Sequence, residues 1–331
     1  MSKMSVSLNE YLHLYELGLA YEGKTAKTLS VYLSNLKRFT SHLNRQLERE
    51  PLLSDLTPEA VMEYVAAMKI GPKYVGHPYK PVYSEPVSAH SLDQHIRTIK
   101  GFATWLYEKG YSRTNILKNL PRPKMPTLTI EPLTEEEIKS VLASINTRTA
   151  YGARNYAIIV ALLDTGLRCG ELCGLTLEDV HLDGKHCYVK VLGKGQKERM
   201  VYLGRRAVEA LLKYKTFVRP LHTKNSLTKS FFVTIYGRPL SNGSVEHMMA
   251  DVAKAAGVPR MHPHLLRHTT ATQYLANGGD VISLQRKLGH AGLEMTNRYV
   301  HLASDQLAAI QERVSPMDRI EVRPMKVPKG R

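Results

Sequence analysis

The chain has 331 residues, of which 43% are hydrophobic and 23% are charged, and its net charge is +16. This length is enough for two domains with separate cores, and the composition excludes a disordered chain as the default. A basic surface over both halves favours a long polyanion such as nucleic acid as the partner, bound in a salt-dependent way. Charge alone also leaves open a merely soluble basic protein, because net charge says nothing about specificity.

Cysteine usage and hydropathy indicate the compartment. Cys169, Cys173 and Cys187 are too few and too irregularly spaced for a disulfide framework or a thiolate metal site. The N-terminal segment has acidic residues within its apolar pattern, and no run of apolar residues reaches membrane-spanning length. We therefore expect a cytoplasmic protein in a reducing environment, without a membrane partner.

Residues 1–118 are predicted to form a small all-helical domain. Apolar residues recur at helical spacing over three ranges, 7–19, 25–43 and 94–107. Thr57 and Pro58 predict the N-cap and first turn of a helix over 58–69. Ser88 or Ser91 is expected to begin the last helix.

Two segments are predicted to be extended, one within this first domain and one at its boundary. Residues 71–86 are rich in Pro, Gly and Tyr and are predicted to be a loop. Residues 119–133 contain four prolines, which forbid a continuous helix and predict a linker.

A second domain is predicted over 134–315, mainly helical with one small antiparallel β-sheet, followed by a basic tail over 316–331. Thr134 and Glu137 match a capping box, which predicts a helix through Ile145. Two strands, 187–192 and 199–203, are predicted around a glycine-containing turn. Further helices are predicted over 153–165, 205–217, 243–256, 264–276, 280–288, 294–300 and 304–313.

A Walker A pattern is present from Gly18 to Thr25, but its context argues against a phosphate-binding loop. Such a loop follows a buried β-strand, whereas an amphipathic helix is predicted before Gly18. We interpret the segment as a corner between two helices, with Thr25 near the N-cap of the second. ATP is therefore not expected.

A metal site is the second alternative, because His262, His264 and His268 lie within seven residues. His264 and His268 are one helical turn apart, as two ligands on one face would be. However, no carboxylate lies between them to serve as a ligand or a base. Anion contacts and structural hydrogen bonds are favoured over a metal.

The most specific signal is a set of side chains able to surround one phosphate. They lie in five motifs, T-G-L-R-C-G-E-L (165–172), G-K-G-Q-K-E-R (193–199), H-L-L-R-H (264–268), L-G-H (288–290) and T-N-R-Y (296–299). The candidate residues are Arg168, Lys194, His264, Arg267, His290 and Tyr299. Their order, with a tyrosine last, predicts phosphoryl transfer through a covalent tyrosine.

Each residue type suits one requirement of that reaction. Arg168 and Arg267 supply guanidinium forks for bidentate phosphate contact, and the histidines add donors to the same oxygens. A lysine on the hairpin can protonate the leaving oxygen, although spacing alone makes Lys197 as good a candidate as Lys194. Cations around Tyr299 favour its attacking phenolate.

These motifs, together with the helical segment 25–39, resemble those of the tyrosine recombinases, the phage integrase family. The resemblance covers nearly the whole chain and implies a helical core-binding domain over 1–118 and a mixed α/β catalytic domain over 134–315. It selects Lys194 over Lys197 and implies that Arg168, His264, Arg267, His290 and the nucleophile Tyr299 complete the catalytic set. The loop over 71–86 and the tail over 316–331 depart from the compact members.

The resemblance also implies the activity and its partners. It implies that Glu171 supports the active-site arginine and that the enzyme needs no metal, ATP or other cofactor. Double-stranded DNA is the implied partner, with four protomers acting on two sites and with accessory recombination factors. Integration, excision and resolution all fit a 3′-phosphotyrosyl intermediate. A type IB topoisomerase and a catalytically silent DNA-binding protein are the alternatives.

Overall fold

The computed structural model describes residues 6–71, 87–123, 130–193, 198–223, 227–289 and 292. The chain divides into two compact units, Met1–Leu128 and Thr129–Arg331, each with its own hydrophobic core. Among the described residues no helix is both long enough and apolar enough to cross a membrane.

The first unit is helical throughout its regular structure in the described ranges. Leu36, Ile99 and Leu106 are fully buried at its centre, because apolar residues at helical spacing give each helix one buried face. Its helices are α1 (Leu8–Tyr21), α2 (Ala26–Leu47), α3 (Pro58–Ile70) and α4 (Ala89–Glu108), with a 3₁₀ turn at Leu53–Asp55.

Short polar side chains begin these helices, as the sequence predicts. Thr57 caps α3 with Pro58 at its first position, and Ser88, not Ser91, caps α4. The Walker A pattern lies on the end of α1 and the corner after it, where Thr25 Oγ1 accepts a hydrogen bond from Thr28 N–H at 3.3 Å. A helix leads into Gly18, so the interpretation as a helix corner is confirmed. The predicted loop over 71–86 lies outside the described residues from 72 onward.

The second unit combines helices with a small antiparallel sheet. The sheet has the order β1 (Val180–His181), β2 (Tyr188–Leu192), β3 (Glu198–Tyr202), and Val189 pairs with Val201 in its register. The helices are α5 (Glu135–Ala143), α6 (Ala150–Thr165), α7 (Cys169–Gly174), α8 (Arg205–Lys213), α9 (Arg219–Thr223), α10 (Asn242–Ala255), α11 (Pro263–Ala276) and α12 (Val281–Leu288).

Several predicted boundaries in this unit differ from those observed. Helix α5 begins with the predicted capping box but ends at Ala143, and the Ser144 hydroxyl at its C-cap donates a hydrogen bond to Val141 O at 2.8 Å. The strand β1 and the helix α7 were not predicted, since neither is long enough to show a periodic pattern. The predicted helix over 205–217 continues instead through a π-helical turn, Tyr214–Val218, into α9.

The π-helical turn begins with a buried tyrosine. Tyr214 is fully buried, and its hydroxyl accepts a hydrogen bond from Val233 N–H at 3.1 Å. A π-helical turn contains one residue more than an α-helical hydrogen-bonded turn, and this wider turn fits the buried Tyr214 ring. The helices predicted over 294–300 and 304–313 lie outside the described residues.

Both ends of the predicted linker over 119–133 pack on their own unit. In the first unit, Leu120 is buried and Lys100 Nζ donates to its carbonyl at 2.5 Å. In the second unit, Leu133 is buried and its N–H donates to Thr269 Oγ1 at 2.9 Å. Proline content predicts extended backbone, but it does not predict that such backbone is fixed by distant side chains.

Candidate active site

The turn that leads to Arg168 is set by a glycine. Helix α6 ends at Gly166, which has a left-handed φ of +65°, and a Cβ there would lie 2.8 Å from Leu288 Cδ2. Both the backbone conformation and the close approach require glycine. The next side chain, Leu167, is buried, so Arg168 is directed outward at the N-cap of α7.

Glu171 lies in the first turn of α7 and holds Arg168 in two ways. Its carboxylate accepts hydrogen bonds from the Arg168 backbone N–H at 2.8 Å and from Arg168 Nη1 at 2.9 Å. The Arg168 side chain is 36% exposed, whereas that of Glu171 is 8% exposed. Among the residues that the structure describes, Nη1 is the one guanidinium nitrogen of Arg168 with a hydrogen-bonded partner. The exposed guanidinium therefore offers further N–H donors to an anion.

A second arginine completes the environment of this carboxylate. Arg199 on β3 donates from Nη1 and Nη2 to the two Glu171 oxygens, at 3.0 and 2.9 Å. Burial raises the pKa of Glu171, but the hydrogen bonds from Arg199 and from the Arg168 N–H outweigh it, and the pKa lies below its ordinary value. Glu171 is therefore an anion that joins two cations.

Helix α11 carries His264 and Arg267 three residues apart, which places them on one side of the helix. His264 is exposed, whereas the Arg267 side chain is buried, at 6% exposure for the residue. Arg267 Nη1 donates to Gly166 O at 2.6 Å, and its Nη2 donates to Leu288 O at 2.7 Å. This one guanidinium links three of the predicted motifs, those at 165–172, 264–268 and 288–290.

Two arginines, Arg199 and Arg267, bind the backbone at the end of α12. Arg199 also binds Glu171, and Arg267 also binds Gly166 O. Arg199 Nε donates to Lys287 O at 3.0 Å, next to the Leu288 carbonyl that Arg267 binds. Gly289 follows with a left-handed φ of +64°, and a Cβ there would lie 3.0 Å from the Arg199 guanidinium. The left-handed conformation favours glycine in L-G-H, and a side chain there would also require Arg199 to shift.

The structure brings together only part of the predicted set. Arg168, Glu171 and Arg267 converge on the Gly166 turn and the end of α12, and His264 lies on the helix that carries Arg267. Lys194, His290 and Tyr299 lie outside the described residues. Lys194 follows the described residue Gly193, and His290 follows Gly289.

Sequence reasoning missed Arg199. The residue belongs to the G-K-G-Q-K-E-R motif, but the catalytic candidates predicted from that motif are the lysines at its turn. The available signal was strand alternation, since Arg199 and Val201 point to the same face of β3 and Val201 is buried. A charged residue on the buried face of a strand indicates a charged partner.

The clustered histidines have separate structural tasks. His262 caps α11, accepting the Leu265 N–H on Nδ1 at 3.3 Å. The ring of His268 hydrogen-bonds through Nε2 to Ile130 O at 2.6 Å. Burial lowers the pKa of both imidazoles, and the charge of His264 lowers that of His262 further. Within the described ranges, no group of three or more His, Cys, Asp or Glu side chains is arranged to hold a metal ion.

Comparisons with known proteins identify the family. The sequence model of the phage integrase family matches residues 131–306. The tyrosine recombinase XerD of Staphylococcus saprophyticus is 28% identical over 314 residues, which cover 95% of this chain and 99% of that protein. Because the family match spans more than half of the sequence, the chain belongs to the phage integrase family.

Solved structures agree on the fold. The XerH site-specific recombinase in a post-cleavage complex with a palindromic difH substrate is 23% identical, with a TM-score of 0.66, and the match covers 88% of this chain and 80% of that one. A lambda integrase tetramer bound to a Holliday junction is 21% identical, with a TM-score of 0.65 and coverages of 90% and 78%. The predicted fold class, mainly helical with a small antiparallel sheet, is confirmed.

Proposed function

We propose that this site-specific recombinase cleaves and rejoins DNA strands through a 3′-phosphotyrosyl bond on Tyr299. The observation that carries the proposal is the assembly around the Gly166 turn, where Glu171 holds a partly exposed Arg168 and Arg267 joins three sequence motifs. Fixed cationic donors at one point suit a phosphodiester, whose developing charge must be neutralised in the transition state. Family membership supplies the reaction class.

The chemical steps balance without an external energy source. Tyr299 attacks phosphorus as the phenolate, the bond from phosphorus to the 5′ oxygen breaks, and Lys194 protonates that leaving oxygen. The 5′-hydroxyl of the partner strand then attacks the phosphotyrosine, its proton returns to Lys194, and Tyr299 leaves as the phenolate. Each step exchanges one phosphodiester for another, so the reaction requires no external energy source such as ATP.

The remaining residues stabilise the phosphate. Arg168, His264, Arg267 and His290 are assigned to its non-bridging oxygens, and Glu171 orients Arg168. The two carbonyl contacts of Arg267 fix the plane of its guanidinium in this assignment. A fixed plane lowers the entropy that bidentate phosphate binding would otherwise cost.

The proposed partners follow from the family and its structures. Residues 1–118 are assigned as the core-binding domain, and 134–315 as the catalytic domain, both acting on double-stranded DNA. The lambda integrase tetramer on a Holliday junction supports a tetramer of this chain on two DNA sites. The assigned location is the cytoplasm, where chromosomal DNA is accessible, and accessory recombination factors would set the direction.

Covalent capture tests this proposal. Tagged protein is recovered from its host under denaturing conditions, and any DNA attached to it is sequenced to locate the cleavage site. We expect wild-type protein to carry DNA and Tyr299→Phe to carry none while still binding DNA in native conditions. The matched control is Tyr236→Phe, which alters an exposed tyrosine of the second unit and should retain the adduct. A persistent adduct in Tyr299→Phe would contradict the assignment.

The same DNA distinguishes the related activities. A duplex carrying the captured site should be recombined with a second copy of it, and activity should survive a metal chelator. Relaxation of supercoiled DNA at unrelated sequences, without pairing of sites, would instead indicate a type IB topoisomerase.

A further inference from the structure

We infer that Arg199 is a positioning residue for strand cleavage, acting through Glu171 on Arg168 and through Lys287 O on the end of α12. This inference rests on the proposed function and adds a residue to it. Arg199 is not among the residues to which the motifs assign a catalytic role.

The first part of the argument is the geometry at Glu171. Arg199 contacts both carboxylate oxygens, at 3.0 and 2.9 Å, in a bidentate pair. Its two parallel N–H···O bonds define the relative orientation of the guanidinium and the carboxylate. Arg168 shares one of these oxygens through Nη1 at 2.9 Å. Because Arg199 fixes the plane of the carboxylate, it fixes the direction from which Arg168 is held.

The second part is burial. The side chains of Arg199 and Glu171 are 12% and 8% exposed, so water competes little for their hydrogen bonds. Without Arg199, the carboxylate would keep only the two contacts with Arg168, its N–H at 2.8 Å and Nη1. Each oxygen would then have one donor in place of two, and a buried carboxylate that loses a charged, two-point partner is costlier to keep ionised and takes up a proton more easily.

The third part is the contact with α12. Carbonyl groups in the last turn of a helix have no partner within the helix, and Arg199 Nε supplies one to Lys287 at 3.0 Å. A Cβ at Gly289 would lie 3.0 Å from the Arg199 guanidinium, so a side chain there would require Arg199 to shift. One arginine therefore couples the support of Arg168 to the position of the backbone at the end of α12, which precedes His290 in the sequence.

A double-mutant cycle on covalent complex formation tests this coupling. The measured quantities are the single-turnover cleavage rate on a nicked suicide duplex carrying the captured site, the affinity for that duplex, and the melting temperature. We expect Arg199→Met to cleave about 10- to 100-fold more slowly, with affinity changed by less than about 3-fold. In a Glu171→Gln background, the same change should slow cleavage by a smaller factor than it does in the wild type, because the contact with Lys287 O is then the main one left to lose.

Two further variants make the test specific. Arg199→Lys keeps a charge but cannot pair with both oxygens and Lys287 O together, so we expect a rate between those of wild type and Arg199→Met. Glu198→Gln is the matched control, because it removes an exposed ion pair with Lys190 from the neighbouring position of the same strand. It should leave the cleavage rate unchanged.

Each contrary result overturns a defined statement. Wild-type cleavage by Arg199→Met, or full multiplication of its effect with that of Glu171→Gln, would overturn the positioning role. A parallel loss of affinity, melting temperature and cleavage, without rescue by Arg199→Lys, would reduce Arg199 to a structural residue and also overturn it. A wild-type protein that forms no adduct would overturn the proposed function and this inference with it.

Discussion

Arg199 and Arg267 donate hydrogen bonds to consecutive carbonyl oxygens at the end of α12, those of Lys287 at 3.0 Å and Leu288 at 2.7 Å. The two arginines come from different elements, β3 and α11. Their other contacts, Glu171 and Gly166 O, lie on either side of the turn that leads to Arg168. The end of α12 and the Arg168 turn are therefore held as one assembly.

We predict that Arg267→Lys destabilises the second unit. A lysine cannot donate to Gly166 O and Leu288 O together, so one buried carbonyl loses its donor, at a cost of about 1 to 3 kcal/mol. Calorimetry on the full chain should show a melting transition lowered by several degrees. Arg238→Lys, at an exposed position, serves as the control and should melt like the wild type. An unchanged transition in Arg267→Lys would show that these contacts do not contribute to stability.

Gly166→Ala should destabilise the same unit by about 1 to 3 kcal/mol. Its left-handed φ disfavours any Cβ, and the added methyl would overlap Leu288 Cδ2. Gly174→Ala is the matched control, because its Cβ would meet nothing within 4 Å at the end of α7. Thermal melting of the two variants should differ in direction or at least in size. Equal effects would refute the role of the close approach.

The stability of the first unit should depend on pH through His95. Burial, with the charge of Arg38, lowers the pKa of His95 to about 4, and its Nδ1 hydrogen-bonds to the Tyr64 hydroxyl at 3.0 Å. In the unfolded chain His95 binds a proton as the pH falls below ~6.5, whereas in the folded chain it stays neutral until about pH 4. The free energy of unfolding therefore has its full value above pH ~6.5 and decreases as the pH falls toward 4. The loss is at most about 3 kcal/mol.

The variant that tests this pH dependence is His95→Asn, which keeps a polar atom near Tyr64 without a titrating ring. Melting temperatures between pH 7 and 4.5 should fall less steeply than those of the wild type. His90→Asn changes an exposed histidine of the same helix and should leave the slope unaltered. If the slope of His95→Asn equals that of the wild type, His95 does not govern the dependence.

Asp93→Asn should also destabilise the first unit. The Asp93 side chain is 3% exposed and pairs with Arg122 at 2.9 Å and with Arg97 at 2.7 Å. We expect a melting temperature lower by on the order of 5 °C near neutral pH. Glu209→Gln, which breaks an exposed pair with Lys213 in the other unit, should have no measurable effect.

The sign of the pH effect gives an independent check on Asp93. The hydrogen bond from Arg122, helped by Arg97, holds the pKa of Asp93 below its ordinary value. Its contribution is therefore present above pH ~4, the value of the unfolded chain, and is lost as pH falls through the folded value. The difference between wild type and Asp93→Asn should shrink in acid, and a difference that grows would contradict the pairing.

Much of the local structure follows from the sequence alone. The capping box of Thr134 and Glu137, the left-handed stop at Gly166 and the caps at Thr57 and Ser88 were all predictable. Each depends on residues within a few positions of one another, and their hydrogen bonds form wherever the segment folds. The motifs could be recognised in the sequence for the same reason, because the residues of each motif lie within a single turn or helix.

Tertiary structure decided how those motifs meet. The burial of Arg267, the packing of both linker ends and the π-helical turn at Tyr214 all depend on partners far away in the chain. The pairing of Arg199 with Glu171 is the clearest case, since neither strand alternation nor helix periodicity states which charge a buried arginine will meet. A hydrogen bond between residues far apart in the chain forms only when packing of the core brings the donor and acceptor atoms within about 3 Å. Local sequence patterns do not determine that distance.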